Sequence, residues 1–264
     1  MKVRGKVFVL TGASAGMGRE IAIELVTRGA RVAAVDMRES ALVELKVLLG
    51  SEVEIFALDV TDNEAVSVLP EKVLKSFGRV DGLINNAGII QPFLKINQLS
   101  IEDAARVMAV NFTGPFLLSK AFLPILIAQP EAHIMNVSSM GAYAPVPGQS
   151  LYGASKAAIA QLTDGLRSEL MGTNVGVTTV FPGAINTNIA AHSGISIPES
   201  TNASRAIKTT EPTVAAKLMV DAIESGKNRL FIGSDAKVLN LLARIHPKLA
   251  AWLIYRNMRE LLGE

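Results

Sequence analysis

Tyr152 and Lys156 stand four residues apart in the run SLYGASKAA, a spacing that places both on one face of a helix, one turn from each other. A free phenol loses its proton near a pH of about 10, so a tyrosine that trades protons near neutrality needs a neighbouring positive charge. Lys156 can supply it. Ser139 lies thirteen residues before Tyr152, at the end of the β-branched run HIMNVSS, and its hydroxyl can reach the same point from the opposite side. An orienting hydroxyl, a proton-transferring phenol and a tuning ammonium suit a carbonyl or alcohol that gains or loses hydride.

A second cluster lies near the start of the chain. The run TGASAGMG puts Gly12, Ser14, Gly16, Met17 and Gly18 between a strand pattern and a helix pattern. Glycines there allow a tight turn and let backbone amides approach a pyrophosphate at a helix N-terminus. The Ser14 hydroxyl is a further donor to phosphate. Asp36 closes the next strand pattern, where a carboxylate can accept from the ribose hydroxyls of an adenosine and repel a 2′-phosphate. Met37 adds no positive charge, but Arg38 can pair with a 2′-phosphate or stack on adenine. The balance favours NAD, with NADP open. Asp59 and Val60, ending the third strand pattern, either sit against the adenine or cap the following helix.

Positioning these groups requires strands that carry them at their ends. Short apolar runs at 6–11, 31–36, 53–58, 80–86, 133–139, 175–181 and 229–233 alternate with segments of helical period such as 17–29 and 61–77. Nearly continuous apolar strands joined by crossover helices predict an α/β fold: a seven-stranded parallel sheet with helices on both faces, doubly wound in the Rossmann manner. No linker or repeat divides residues 1–264, so a single domain is expected. Residues 188–210 are small, polar and weakly periodic, and they follow a strand end. They are read as a substrate loop or lid, with a solvated surface loop as the other reading. The extension 236–264 is amphipathic and split by Pro247 into two predicted helices. It packs on the body or a neighbouring subunit, or it lies on a membrane surface with Trp252 to Tyr255 among Lys248, Arg256 and Arg259.

Composition narrows the alternatives. A net charge of +2, from 26 basic and 24 acidic residues interleaved along the chain, argues against nucleic-acid binding. The absence of cysteine removes disulfides and thiol chemistry, and three scattered histidines make no metal-binding pattern. Without a signal-peptide pattern, a cytoplasmic location is the default expectation.

Taken together, the chain resembles the short-chain dehydrogenase/reductase family over about 6–233. The family's TGxxxGxG turn matches Thr11 to Gly18, and its NNAG matches Asn85, Asn86, Ala87 and Gly88. Its helix asparagine matches Asn111, its catalytic Ser, Tyr and Lys match Ser139, Tyr152 and Lys156, and its PGxxxT segment matches Pro182, Gly183 and Thr187. Ser138 competes for the serine role, but the thirteen-residue offset selects Ser139. The resemblance implies an NAD(P)-dependent oxidoreductase acting on a secondary alcohol or ketone. Tyr152 would be the acid/base and Ser139 the holder of the substrate oxygen. Lys156 would bind the nicotinamide ribose and lower the tyrosine pKa, and Asn111 would hold a relay water. It also implies that Asn86, Ala87 and Gly88 line the adenosine side, that Ile185 and Thr187 contact the carboxamide or phosphate, and that the chain forms a homotetramer or dimer through helices around 101–128 and 150–171. A dinucleotide-binding sensor or scaffold without turnover is the alternative.

Overall fold

Seven short segments that are apolar at almost every position have two faces to cover, and helices on both sides of one parallel sheet cover them. The computed structural model describes residues 1–187, 189–195 and 209–258. The strands are β1 (Val7–Thr11), β2 (Arg31–Asp36), β3 (Val53–Ala57), β4 (Gly82–Asn85), β5 (Ala132–Val137), β6 (Val175–Pro182) and β7 (Arg229–Ile232). They pair in the order β3-β2-β1-β4-β5-β6-β7. Each predicted strand is found, with ends displaced by no more than two residues.

Alternation along β1 shows how the layers form. Phe8 and Leu10 point to one side, where they join Ile21 and Leu25 of α1 (Gly16–Thr27) and Leu42 and Leu45 of α2 (Glu39–Leu49). Val7 and Val9 point to the other side, against Val66 and Leu69 of α3 (Asn63–Phe77). Each fully buried side chain of this kind contributes about 1.5–3 kcal/mol relative to exposure. α3 is capped by Asp62, whose Oδ1 accepts from the amides of Glu64 and Ala65 at 3.0 and 3.1 Å.

The next helix is interrupted in a way that matters for the site. α4 (Ile101–Met108) runs through a π-helical turn, Ala109–Thr113, into α5 (Gly114–Ile127). The widened turn turns Asn111 into the interior. The continuous helix is long and apolar enough to span a membrane, yet Val107, Leu118, Phe122 and Leu126 are buried in the protein's own core. α6 (Ser150–Glu169) lies beside it on the same side of the sheet and carries Tyr152 and Lys156 in its first two turns. α7 (Ile189–His192) and α8 (Pro212–Glu224) follow, and α9 (Ser234–Ile245) and α10 (Pro247–Met258) form the extension, divided at Pro247.

Strand order reverses between β1 and β4. At that seam the loops leaving the two strands diverge to opposite sides and open a crevice beyond their carboxyl ends. Both sequence clusters converge there.

Candidate active site

The first wall of the crevice is the turn after β1. Gly12 has a φ of 63°, and a Cβ on it would lie 2.9 Å from the Cα of Ala87. A Cβ on Gly18 would lie 1.9 Å from the Gly12 carbonyl oxygen. Neither position tolerates a side chain, so the turn and the segment after β4 touch backbone to backbone. Asn86 fastens them, donating from Nδ2 to the carbonyls of Thr11 and Gly12 at 3.1 and 3.3 Å. Thr11 Oγ1 accepts from the amides of Asn86 and Ala87. The N-cap of α1 is Ala15, which offers no side-chain acceptor, and no acid stands in the first turn. The leading amides of α1 therefore face the crevice uncapped, as an anion site requires.

Gly12, Gly16, Met17 and Gly18 line this wall, and Asn86, Ala87 and Gly88 line the opposite one. Asp36, Met37 and Arg38 close one end together with Asp59 and Val60. Ser14 stands behind the wall rather than in it. Its hydroxyl donates to Asp36 Oδ2 at 2.6 Å and accepts from Arg38 at 2.8 Å. The other carboxylate oxygen of Asp36 accepts from the Arg38 amide and Nε. Asp59 is not the helix cap: its Oδ1 accepts from the amide and hydroxyl of Thr61, and the cap belongs to Asp62. Thr187 lines the crevice, its methyl 3.4 Å from where a Gly16 Cβ would be. Ile185 does not line it; that side chain packs against the core. Pro182 ends β6 buried, and the Gly183 amide donates to the Ile232 carbonyl.

Gly88 joins the crevice to the second cluster, since a Cβ there would lie 3.0 Å from Lys156 Nζ and 3.2 Å from Asn111 Oδ1. Ser139 Oγ and the Tyr152 ring flank Gly141, lying 3.5 and 3.3 Å from where a Cβ on it would be, and Ser139 Oγ accepts from the Gly141 amide at 3.0 Å. Ser138 is buried and donates to the Lys156 carbonyl at 2.6 Å, which removes its hydroxyl from the site. Lys156 Nζ lies 5.9 Å from the Tyr152 ring centre and donates to the Val137 carbonyl at 3.1 Å. Burial brings the Lys156 ammonium down to about 8. Burial pushes the Tyr152 phenol above its ordinary value, and the nearby Ser139 hydroxyl opposes this. Burial is the largest influence on the phenol here. Asn111 is held through its side chain. Its Oδ1 accepts from the Ile89 amide at 2.9 Å, and its Nδ2 donates to the Ile89 carbonyl and to Ser155. The side-chain amide is fully engaged in fixing the Ile89 segment.

Other groups support the site without a visible signal in the sequence. Gln91 Oε1 accepts from the amides of Leu151 and Tyr152 at 2.8 and 2.9 Å, so it caps the helix that carries the phenol. Gln149 Nε2 donates to the Gln91 carbonyl at 2.7 Å. Asp235 accepts from the Ala184 amide at 2.8 Å, pressed between Gly183 and Gly233, and Tyr143 donates to the Ala236 carbonyl at 2.7 Å. Tyr143 packs on Phe181 and Phe231, and burial raises its phenol, so it is a structural tie. Ala15, Leu58, Ile89, Val110 and Ile189 also line the crevice. From the predicted loop, Ser193 Oγ accepts from the Ile90 amide, so the segment's first turn lies on the site; 196–208 lie outside the described residues.

Comparison with known proteins places this geometry in a lineage. The family model for short chain dehydrogenase matches residues 6–196. SadH of Mycobacterium tuberculosis is 36% identical over 251 residues, covering 91% of each chain. A short chain dehydrogenase/reductase from Burkholderia phymatum, solved in complex with NAD, superposes with a TM-score of 0.84 at 28% identity, over 94% of this chain and 95% of that one. A short chain dehydrogenase from Burkholderia cenocepacia, in complex with NADP, gives 0.82 at 26% identity, over 96% and 99%. With the family model matched over 6–196, a relative 36% identical over 91% of the chain and the fold shared throughout, the chain belongs to the short chain dehydrogenase family.

Proposed function

We propose that the protein is a nicotinamide-dependent oxidoreductase that interconverts a secondary alcohol and a ketone. The observation that carries this reading is that Ser139, Tyr152 and Lys156 converge beside a crevice lined by uncapped amides: a Cβ on Gly141 would lie 3.3 Å from the Tyr152 ring and 3.5 Å from Ser139 Oγ, and one on Gly88 would lie 3.0 Å from Lys156 Nζ. The crevice fits a dinucleotide. The α1 amides suit its phosphates, Asp36 suits the adenosine ribose, and Lys156, beside Gly88, suits the second ribose. When bound, that group supplies or accepts the hydride.

The chain's own residues handle the proton. Ser139 holds a substrate oxygen by a hydrogen bond, and Tyr152 gives a proton to that oxygen in reduction or takes it in oxidation. The raised phenol is suited to the donor direction. Asn111 keeps Ile89, and with it the crevice wall, in register with α6 through Ser155.

NAD is the cofactor this reading assigns, on Asp36 at the end of β2. Arg38 and Ser14 beside that carboxylate are the observation that favours NADP instead. The reading extends to a homo-oligomer built on α4, α5 and α6, where Ile101, Phe116 and Ile127 are exposed. Replacement of Tyr152 by Phe tests the central claim. Turnover in a panel of alcohols and ketones should fall by at least about 100-fold, with cofactor affinity by fluorescence titration changed little. Persistent activity would remove Tyr152 from the mechanism.

A further inference from the structure

The C-terminal extension carries a surface that the oxidoreductase reading does not use. On α9 the apolar side chains Val238, Leu241 and Ile245 recur at helical spacing, and on α10 Leu249, Trp252 and Tyr255 do the same. All six point away from the protein, with exposures of 41–71%. The opposite sides of the same helices hold Ala236, Ala250 and Ile254 buried, so the helices are anchored and their outward faces are fixed. Cations border the apolar residues: Lys237, Arg244, Lys248 and Arg256, the last lying 4.9 Å over the Trp252 ring. Within Ser234–Met258 the acid is Asp235, and its carboxylate turns inward to the Ala184 amide.

We propose that this face docks on an anionic lipid surface. Exposed aliphatic side chains, an indole and a phenol flanked by ammonium and guanidinium groups match the acyl boundary and the headgroups of such a surface. Charge also separates this occupant from a second copy of the chain. A two-fold pairing through the face would set this surface, bordered by Lys237, Arg244, Lys248 and Arg256, against an identical basic surface. Docking would bear on the site, because Tyr143 to Ala236 and Asp235 to Ala184 tie α9 to the loops that follow β5 and β6. A docked molecule would hold those loops at a fixed distance from the membrane.

Trp252 is the only tryptophan, so its emission reports the face directly. The full chain is mixed with vesicles of phosphatidylcholine alone or with phosphatidylglycerol added, and both sedimentation and tryptophan emission are followed at low and high salt. Expected results are co-sedimentation and a blue shift with the anionic vesicles, weakened by salt. K237Q combined with R244Q should weaken binding by about 25-fold, at about fivefold for each cation, while cofactor affinity stays unchanged. No binding to anionic vesicles, or equal binding to both compositions, overturns the proposal. So does a concentration-dependent oligomer that W252S dissociates and vesicles do not compete with, since a second copy then covers the face.

Discussion

Burial acts in opposite directions on the two titrating residues of the proposed catalytic cluster. It takes the Lys156 amine down to about 8 and the Tyr152 phenol up, so both carry their protons near neutrality. The amine is only 4% exposed, so the native state holds a charge it would shed more easily than the unfolded chain, whose lysine titrates near 10.5. That penalty is full below about 8 and fades as the pH rises toward 10.5. Lys156→Met should therefore raise the melting temperature at neutral pH, by an increment that shrinks at alkaline pH, while turnover is lost. Thermal scans across that range check the sign. Asp36 gives a second prediction. Its removal frees Ser14 and Arg38 from the carboxylate, so Asp36→Ala should weaken NAD by about tenfold or more, the worth of a charged hydrogen bond, and spare NADP. Titrations with both dinucleotides read this out, and equal losses would show that Asp36 does not discriminate. Residue types and spacing made Ser139, Tyr152 and Lys156 legible from the sequence. They could not separate Asp59 from Asp62 as helix cap, because both acids precede α3 and only backbone geometry decides which oxygen meets the free amides.

At the scale of elements, α6, the helix that carries Tyr152, owes its starting point to a residue far from it in sequence. Gln91 is 0% exposed, and its side-chain oxygen Oε1 receives the two amides that open α6 around Tyr152. Gln91→Leu removes that acceptor and lets the first turn shift. Since misplacement by about 1 Å can cost roughly 100-fold in rate, kcat should drop by at least about tenfold with cofactor affinity retained. Gln91→Glu keeps the accepting oxygen and should recover much of the rate. A loss of melting temperature without a change in kcat would assign Gln91 to stability alone. The sequence could not reveal this cap, since capping patterns are read from neighbours and Gln91 acts across 60 residues. The strands were legible for the opposite reason: burial on both faces makes their apolar runs nearly unbroken, a signal that needs no partner to be seen. The π turn at Asn111 left no such trace, because one extra residue in a helical turn barely alters the apolar period.

For the whole molecule, loss of stability in acid has an identifiable source between β5 and β6. His133 is buried, with Nε2 2.8 Å from the Thr178 hydroxyl, and burial, aided by the N-terminal charge, lowers its pKa from 6.5 to about 3. The unfolded chain takes up this proton first as pH falls, so the stability is intact above 6.5 and is lost progressively toward 3. His133→Gln should reduce the proton uptake on urea unfolding by about one in that interval. Unchanged uptake would show that the histidine is already charged in the native state. The seam between β1 and β4 has a consequence for ligand binding. Thr11 and Asn86 are 75 residues apart, and the crevice exists only while their hydrogen bonds hold the two halves of the sheet together. Occupancy of that crevice therefore opposes separation of the halves. A dinucleotide at about 100 times its dissociation constant would add about 2.7 kcal/mol to global unfolding. The molecule should register its ligand as a rise in melting temperature even when no substrate is known.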